Sequence, residues 1–481
     1  MSNETAVVWF RDDLRVTDNP TLADAVDTAD RVVPLYVIDP RQRERSRYGP
    51  IGSTLAPTRA QFRLEALEDL RASLQDRDGD LVVRQGAVES VVPEVASAVE
   101  ADAVYAQTKP ATKELSTEHA VREALPPSVD FERRWTHTLY HINDLPTPYD
   151  QINDTFTPWR KRVEREAPVR DPRPAPETIV VPSTLEPGTI PTLAALDIDQ
   201  PVSDDRAVLP FTGGETAGKR RVESYIWEGD HLREYKQTRN GLLGADYSSK
   251  FSAWLAAGCL SPRWINREID RYEDRRVSNE DTYWLRFELA WRDFFQFQFV
   301  KHGADFFQPT GIRDIDRTWR HDETAFRRWA DGETGVPFVD ANMRELNQTG
   351  YMSNRGRQNV ASFLIDVLEI DWRWGAAYFQ SRLVDYDVAS NWGNWAYQAG
   401  VGNDSRNNYF NVLGQADRYD GDAEYVTTWL PELAGLPAED AHRPWQLSAQ
   451  EQADYGVELG IDYPRPMLDI EAHYDDLARQ R

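Results

Sequence analysis

The sequence predicts an α/β domain on a Rossmann-like parallel sheet, followed by an all-helical domain. Short apolar runs alternate with helical stretches over the first 145 residues. A proline-rich, aperiodic stretch follows. Beyond it apolar residues recur at helical spacing, and 13 of the 16 tryptophans fall between positions 227 and 445. A chain of 481 residues is too long for one small core and suggests two to three domains.

The strand candidates, in order, are AVVWF (6–10), RVVPLYVI (31–38), DLVVRQG (80–86), ADAVYAQ (101–107) and DFERRW (130–135). Between them lie patterns such as TRAQFRLEALEDLRASL, with apolar residues at helical spacing. Strand, helix, strand repetition means βαβ units and a parallel sheet. No GxGxxG follows the first strand, so the ordinary dinucleotide fingerprint is absent. Residues 165–215 hold nine prolines and acidic clusters without a sustained period, the signature of a linker. The expected organisation is an α/β domain over 1–145, a linker over 146–215, a helical domain over 216–435 and a short C-terminal segment over 436–481.

Eighty acidic residues face 55 basic ones, of which only seven are lysine. Such an excess of carboxylate repels itself in dilute salt and is most at ease where ions shorten the Debye length, as in the cytoplasm of a halophilic microbe. It also argues against bulk nucleic-acid binding, so any such binding must come from a local patch. The single cysteine, Cys259, excludes an intrachain disulfide and a thiolate zinc cluster. The eight histidines form no HExxH, and no metal centre is expected. The longest apolar runs fall far short of the roughly 20 residues a spanning helix needs. MSNETAVVWF lacks a basic start before an apolar run. A cytoplasmic, monomeric protein with no membrane partner is the expectation.

Four stretches gather chemistry. In TYWLRFELAWRDFFQFQFV, Trp284, Glu288, Trp291, Arg292 and Phe295 share one helical face, as a buried ion pair on an aromatic stripe or as part of a site. DYSSKFSAWLAAGCLSPR (246–263) sets hydroxyls ahead of an apolar helix, either an ordinary cap or a phosphate cradle. TGYMSNRGRQNVASFLIDVLEIDW (349–372) opens with Asn354, Arg355 and Arg357 and continues as a helix with Val360, Phe363, Leu364, Val367 and Leu368 on one face. Those arginines suit an anion or a neighbouring carboxylate such as Asp385. DYDVASNWGNWAYQAG (385–400) places Asp387 and Asn391 four apart, on one face if helical, able to hydrogen-bond a planar heterocycle. Its bland reading is a helix end whose aromatics pack inward while the aspartates cap or pair.

Taken together and in this order, these stretches resemble the photolyase and cryptochrome family, more closely its DASH-type branch. The resemblance is carried by GGETAG (213–218), YKQTRNGLLGADYSSKFSAWLAAGCLSPR (235–263), FELAWRDFF (287–295), TGVPFVDANMRELNQTGYMSNRGRQNVASFL (334–364) and DYDVASNWGNWAYQAGVGND (385–404), with WFRDDLRVTDNPTLADA (9–25) at the start. It covers nearly the whole chain.

The resemblance implies an FAD enzyme driven by blue light, with FAD folded inside the helical domain. It implies that Tyr235, Ser248, Ser249, Lys250, Phe251 and Ser252 line the diphosphate and ribose, and that Glu288 and Arg292 flank the pocket. Asn354, Arg357, Asp385 and Asp387 would hold the isoalloxazine and adenine parts, with Asn391 facing flavin N5. Trp395, Trp372 and Trp319 match a chain of three indoles through which an electron hops to excited flavin, while Trp392 matches no role.

The implied substrate is a cyclobutane pyrimidine dimer flipped out of DNA. Glu288 would bond the thymine edge, Trp291 would stack on it, Asn354 would face the dimer and Arg355 would contact the flanking phosphate. Gln358 and Tyr397 depart from the photolyase pattern, as the DASH branch does, and imply a smaller, more polar platform that prefers single-stranded DNA. The rival implication is a blue-light sensor that binds DNA or a partner without repair. Absence of a low-complexity extension after DYPRPMLDIEAHY favours the enzyme. A second chromophore, 5,10-methenyltetrahydrofolate, is implied as antenna. Lys109 and Pro110 stand near the point where relatives carry an acidic residue, and Glu114 is the substitute available.

Overall fold

The computed structural model describes residues 4–182, 185–403 and 409–479; Asp404, the last residue of the DYDVASNWGNWAYQAGVGND stretch, lies outside them. Five strands, β1 (Thr5–Phe10), β2 (Arg31–Ile38), β3 (Val82–Gln85), β4 (Ala103–Gln107) and β5 (Asp130–Arg134), form one sheet in the order β3-β2-β1-β4-β5. Every pairing is parallel. All five sequence candidates are strands: β2 keeps its bounds, β1 gains Thr5, and β3, β4 and β5 are trimmed at their ends. β1 is buried along its whole length because helices cover both faces of the sheet, which is why its text is continuously apolar rather than alternating. Gly86, with φ of 147°, follows β3 in a conformation that only glycine adopts easily.

The helical half is built around one long helix, Glu280–His302. Asn279 and Thr282 form a capping box at its start, and Gly303, with φ of 53°, ends it. It packs against the helix Val388–Gln398 and the turn of helix Tyr235–Thr238. Helix continuity differs from expectation in one place. The helix Asn354–Ser362 passes into a π-helix over Phe363–Val367, so Val360 and Leu368 do not continue one regular face.

The stretch between the halves is more structured than its prolines suggest. It contains the helix Phe156–Glu166, whose Phe156, Trp159 and Val163 are buried against the long helix. Farther on, Val180 accepts from the amide of Val32 and Pro187 from that of Val83, so the segment runs along the sheet. Elsewhere Asp293 of the long helix accepts from the amides of Leu139 and Tyr140, at 3.0 and 2.8 Å. Arg15 donates to the carbonyl of Gly258 at 2.8 Å. One apolar core runs from β1 into the helices.

The sequence reading passed over one histidine spacing, HTLYH at His137 and His141. The segment is not helical, and the rings face different partners: His137 lies against Trp135 and His141 accepts from the amide of Asn143. Among the described residues no helix is long and apolar enough to cross a membrane.

Candidate functional site

A cavity of about 460 Å³ opens in the helical half, and four of its walls come from the four stretches singled out above. The first wall is the turn Ser248–Phe251 with Tyr235. Lys250 holds φ of 56°, so the chain reverses there and the hydroxyls of Ser248, Ser249 and Ser252 border the cavity. The following helix, Ser252–Ala256, has no side-chain cap. These hydroxyls are therefore not an ordinary cap, and the helix is too short for a strong dipole. The turn is shaped from behind by buried Arg221, which donates to the carbonyls of Ser249, Ala245 and Ser248 at 3.0, 2.9 and 3.2 Å.

Lys250 is buried, with its ammonium 3.0 Å from the centre of the Tyr247 ring. Among the described residues no carboxylate lies within ion-pair distance of it. Burial, with nearby Arg221 adding to it, depresses its pKa to about 6.

The long helix gives the second wall, with Glu288, Trp291, Arg292 and Phe295. Glu288 pairs with Arg239 at the mouth. Burial raises the Glu288 pKa, and Arg239 opposes that rise. Arg292 spends its guanidinium on the carbonyls of His137 and Leu255. Trp284 stands one turn outside the cavity.

Asn354, Arg357 and Gln358 give the third wall. Arg357 makes two bonds to Asp385, at 3.0 and 2.8 Å, so the neighbouring carboxylate is its partner. Burial alone would lower the Arg357 pKa; Asp385 reverses that and raises it. Among the described residues the buried Oε1 of Gln358 has no hydrogen-bond partner. Arg355 turns away from the cavity toward Asn240 and Gln415, at 3.0 and 3.3 Å, with its guanidinium 4.6 Å from the centre of the Tyr419 ring.

Asp385, Asp387, Asn391, Trp395 and Tyr397 complete the site. The bland reading of this stretch holds, and the stretch also borders the cavity. Asp387 is the N-cap of Val388–Gln398, accepting from the amide of Ser390 at 2.8 Å, and it also borders the cavity. Gln296 donates to both its oxygens at 2.9 Å. Burial disfavours the Asp387 charge, but Arg292 and Lys109 outweigh it and the pKa falls. Asn391 is anchored by a 2.9 Å bond from its Nδ2 to the carbonyl of Ala376.

Trp372 and Trp319 lie behind the cavity rather than on it. Both indole N–H groups donate to the carbonyl of Pro309, at 3.3 and 3.2 Å. Trp395 lies against Gly375, one turn along the helix that Trp372 begins; a Cβ there would come within 2.2 Å of its ring. Trp392 packs against Trp372, Phe307 and Tyr48 with centroids 5.9, 4.9 and 5.0 Å apart.

Sequence reasoning missed Arg221, Arg239, Gln296 and Phe156. The first three lie within or beside quoted stretches but act across the fold, and Phe156 sits in text read as linker. At the sheet, Lys109 pairs with Asp12 at 2.8 Å, and Arg11 donates to the Glu114 carbonyl at 3.2 Å.

Known proteins resemble this chain in sequence and fold. The family model described as FAD binding domain of DNA photolyase matches residues 284–480, and that described as DNA photolyase matches 6–177. Cryptochrome DASH of Natronomonas pharaonis is 69% identical over 475 residues, covering 98% of this chain and 100% of that one. The chain belongs to the photolyase and cryptochrome family, in its DASH branch. A Synechocystis sp. cryptochrome superposes with a TM-score of 0.96 at 44% identity, covering 99% of each chain. An archaeal photolyase from Sulfolobus tokodaii, solved with two FAD molecules, gives 0.77 at 26% identity, covering 98% of this chain and 100% of that one. That the 69% relative comes from a halophilic archaeon agrees with the acidic composition.

The family's cofactor is FAD, and the residues present fit it. A buried lysine amine with no described carboxylate partner, beside three hydroxyls, suits a diphosphate, whose charge favours the protonated amine. The carboxylates, amide and guanidinium of the opposite wall suit the donors and acceptors of a flavin ring.

Proposed function

We propose that the chain is a light-driven lyase that splits cyclobutane pyrimidine dimers, chiefly in single-stranded DNA. The observation that carries it is one cavity holding both sets of groups: the flavin-fitting walls, and a carboxylate, Glu288, beside an aromatic face, Trp291. Bound FAD, once reduced and excited, would supply the electron that opens the cyclobutane ring and receive it back. Tyr235, Ser248, Ser249, Lys250, Phe251 and Ser252 hold the diphosphate and ribose in this reading, and Asn354, Arg357, Asp385, Asp387 and Asn391 hold the rings. Glu288 takes the thymine edge and Trp291 stacks on it. The unpartnered Oε1 of Gln358 accepts from an imide N–H, since a buried acceptor left unpaired costs free energy. Trp395, Trp372 and Trp319 carry an electron inward when oxidised flavin is excited. Flipping costs a few kcal/mol, less for damaged or unpaired bases, which favours single strands over a polar platform.

A sensor without repair is the second reading, supported by the polar pair Gln358 and Tyr397. The family's antenna site is proposed near Lys109 and Glu114; the Lys109–Asp12 pair supports a chromophore held otherwise than by an acidic residue at 109. The test is reduced protein in high salt with single-stranded oligothymidine carrying dimers under blue light. Recovery of absorbance near 260 nm (about the thymine band), lost in Glu288→Ala, establishes the lyase. No recovery, with light-driven flavin reduction intact, overturns the lyase and favours the sensor reading.

A further inference from the structure

We propose a second stacking subsite, outside the cavity, for the nucleotide that adjoins the dimer; it rests on the dimer reading above. Trp284 and Phe287 stack with centroids 4.5 Å apart and planes 25° from parallel. Both are only half-buried. Phe287 also borders the cavity, so the pair continues outward from the wall that carries Trp291.

Three cations attend these rings. Lys236 lies 4.5 Å and Arg239 5.3 Å from the centre of Trp284, and Arg160 lies 5.3 Å from that of Phe287. Each is also paired with a carboxylate, Lys236 with Glu280, Arg239 with Glu288 and Arg160 with Glu164, so in a chain of net charge −25 the strip is locally neutral and spares a phosphate the repulsion of the surrounding acidic surface. Aromatic faces interleaved with cations are the chemistry of single-strand recognition, because every base has a π-face.

The strip also resolves a difficulty of salt. Phosphate contacts weaken steeply as salt rises, whereas stacking does not release counter-ions. Lys236 is paired with Glu280, whose side chain is 65% exposed, and such a surface pair is readily exchanged for a phosphate. Stacking on Trp284 then carries the binding that lysine and arginine lose in concentrated salt.

The test compares a bare thymine-dimer dinucleotide with the same dimer carrying unmodified flanking nucleotides on one side or the other, in dilute and in molar KCl. On the wild-type holoprotein one flank should tighten binding by about tenfold, and the gain should persist in molar salt. Trp284→Ala should abolish the gain, Trp284→Phe should keep most of it, and neither should change affinity for the dinucleotide. An equal flank gain in Trp284→Ala overturns the subsite, as does equal weakening of dinucleotide and flanked substrates. Failure of the wild-type protein to bind any dimer overturns the dimer reading and the subsite with it.

Discussion

Phe156 lies flat against Trp291, with ring centroids 3.7 Å apart and planes 11° from parallel. One face of Trp291 is thus closed by a residue from the segment between the two halves, and Phe295 stacks beside it at 5.7 Å. The indole is held before any substrate arrives, so a base that stacks on it pays little ordering entropy. Phe156→Ala should cost about 3–5 kcal/mol of stability by urea unfolding and should weaken binding of a thymine-dimer dinucleotide. Phe156→Leu should restore much of the stability and little of the affinity. Equal recovery of both would show that Phe156 acts only through packing.

Gly375 gives Trp395 its room. The Cβ of alanine there would lie 2.2 Å from the indole. Gly375→Ala should therefore destabilise by about 1–3 kcal/mol through overpacking, although alanine is the better helix former. Light-driven reduction of oxidised flavin should slow with it. An unchanged bleaching rate under blue light would remove Trp395 from the electron path.

Lys250 links flavin binding to a proton. In the free protein it is neutral above about 6, and an anionic diphosphate favours its charged form. Binding of FAD should take up a proton, and affinity should fall as pH rises above that value, by at most about tenfold per unit. Calorimetry in buffers of different ionisation heat reads the uptake, which Lys250→Met should abolish. The apoprotein carries the matching sign. Unfolded Lys250 binds its proton up to 10.5 and folded Lys250 only to about 6, so its contribution to stability grows as pH rises between them.

Asp293 ties the long helix to Leu139 and Tyr140, and burial raises its pKa to about 7. The folded state holds this proton up to about 7, the unfolded state only to 3.8. Its contribution is full below the lower value and is lost as pH rises through the upper one. The stability of wild type relative to Asp293→Asn should decline across that window. Urea midpoints at several pH values check it; a constant difference would show an ionised Asp293.

The net charge of −25 predicts a salt requirement. Near-UV circular dichroism and bound flavin should both weaken in dilute salt relative to molar salt, because screening there no longer offsets carboxylate repulsion. Equal signals in both would remove the argument.

The sequence by itself determined the two kinds of fold and most of the cavity. Five apolar runs sufficed for the sheet because a parallel strand buried on both faces must be continuously apolar. Ser248 to Ser252, Glu288 and Asp385 were legible as site candidates through the resemblance of the contiguous runs that hold them; composition and spacing alone left an ordinary cap, a buried ion pair and a capping aspartate open. Only the tertiary structure decided which of these charges stay free. Arg357 is taken by Asp385, Glu288 by Arg239, and Arg355 by Asn240 and Gln415, whereas Lys250 keeps no described carboxylate. The same holds for Phe156 on Trp291 and Gln296 on Asp387, pairs 135 and 91 residues apart in the chain. Periodicity reports which face a residue occupies; partners brought from distant segments are chosen by packing, which no local pattern encodes.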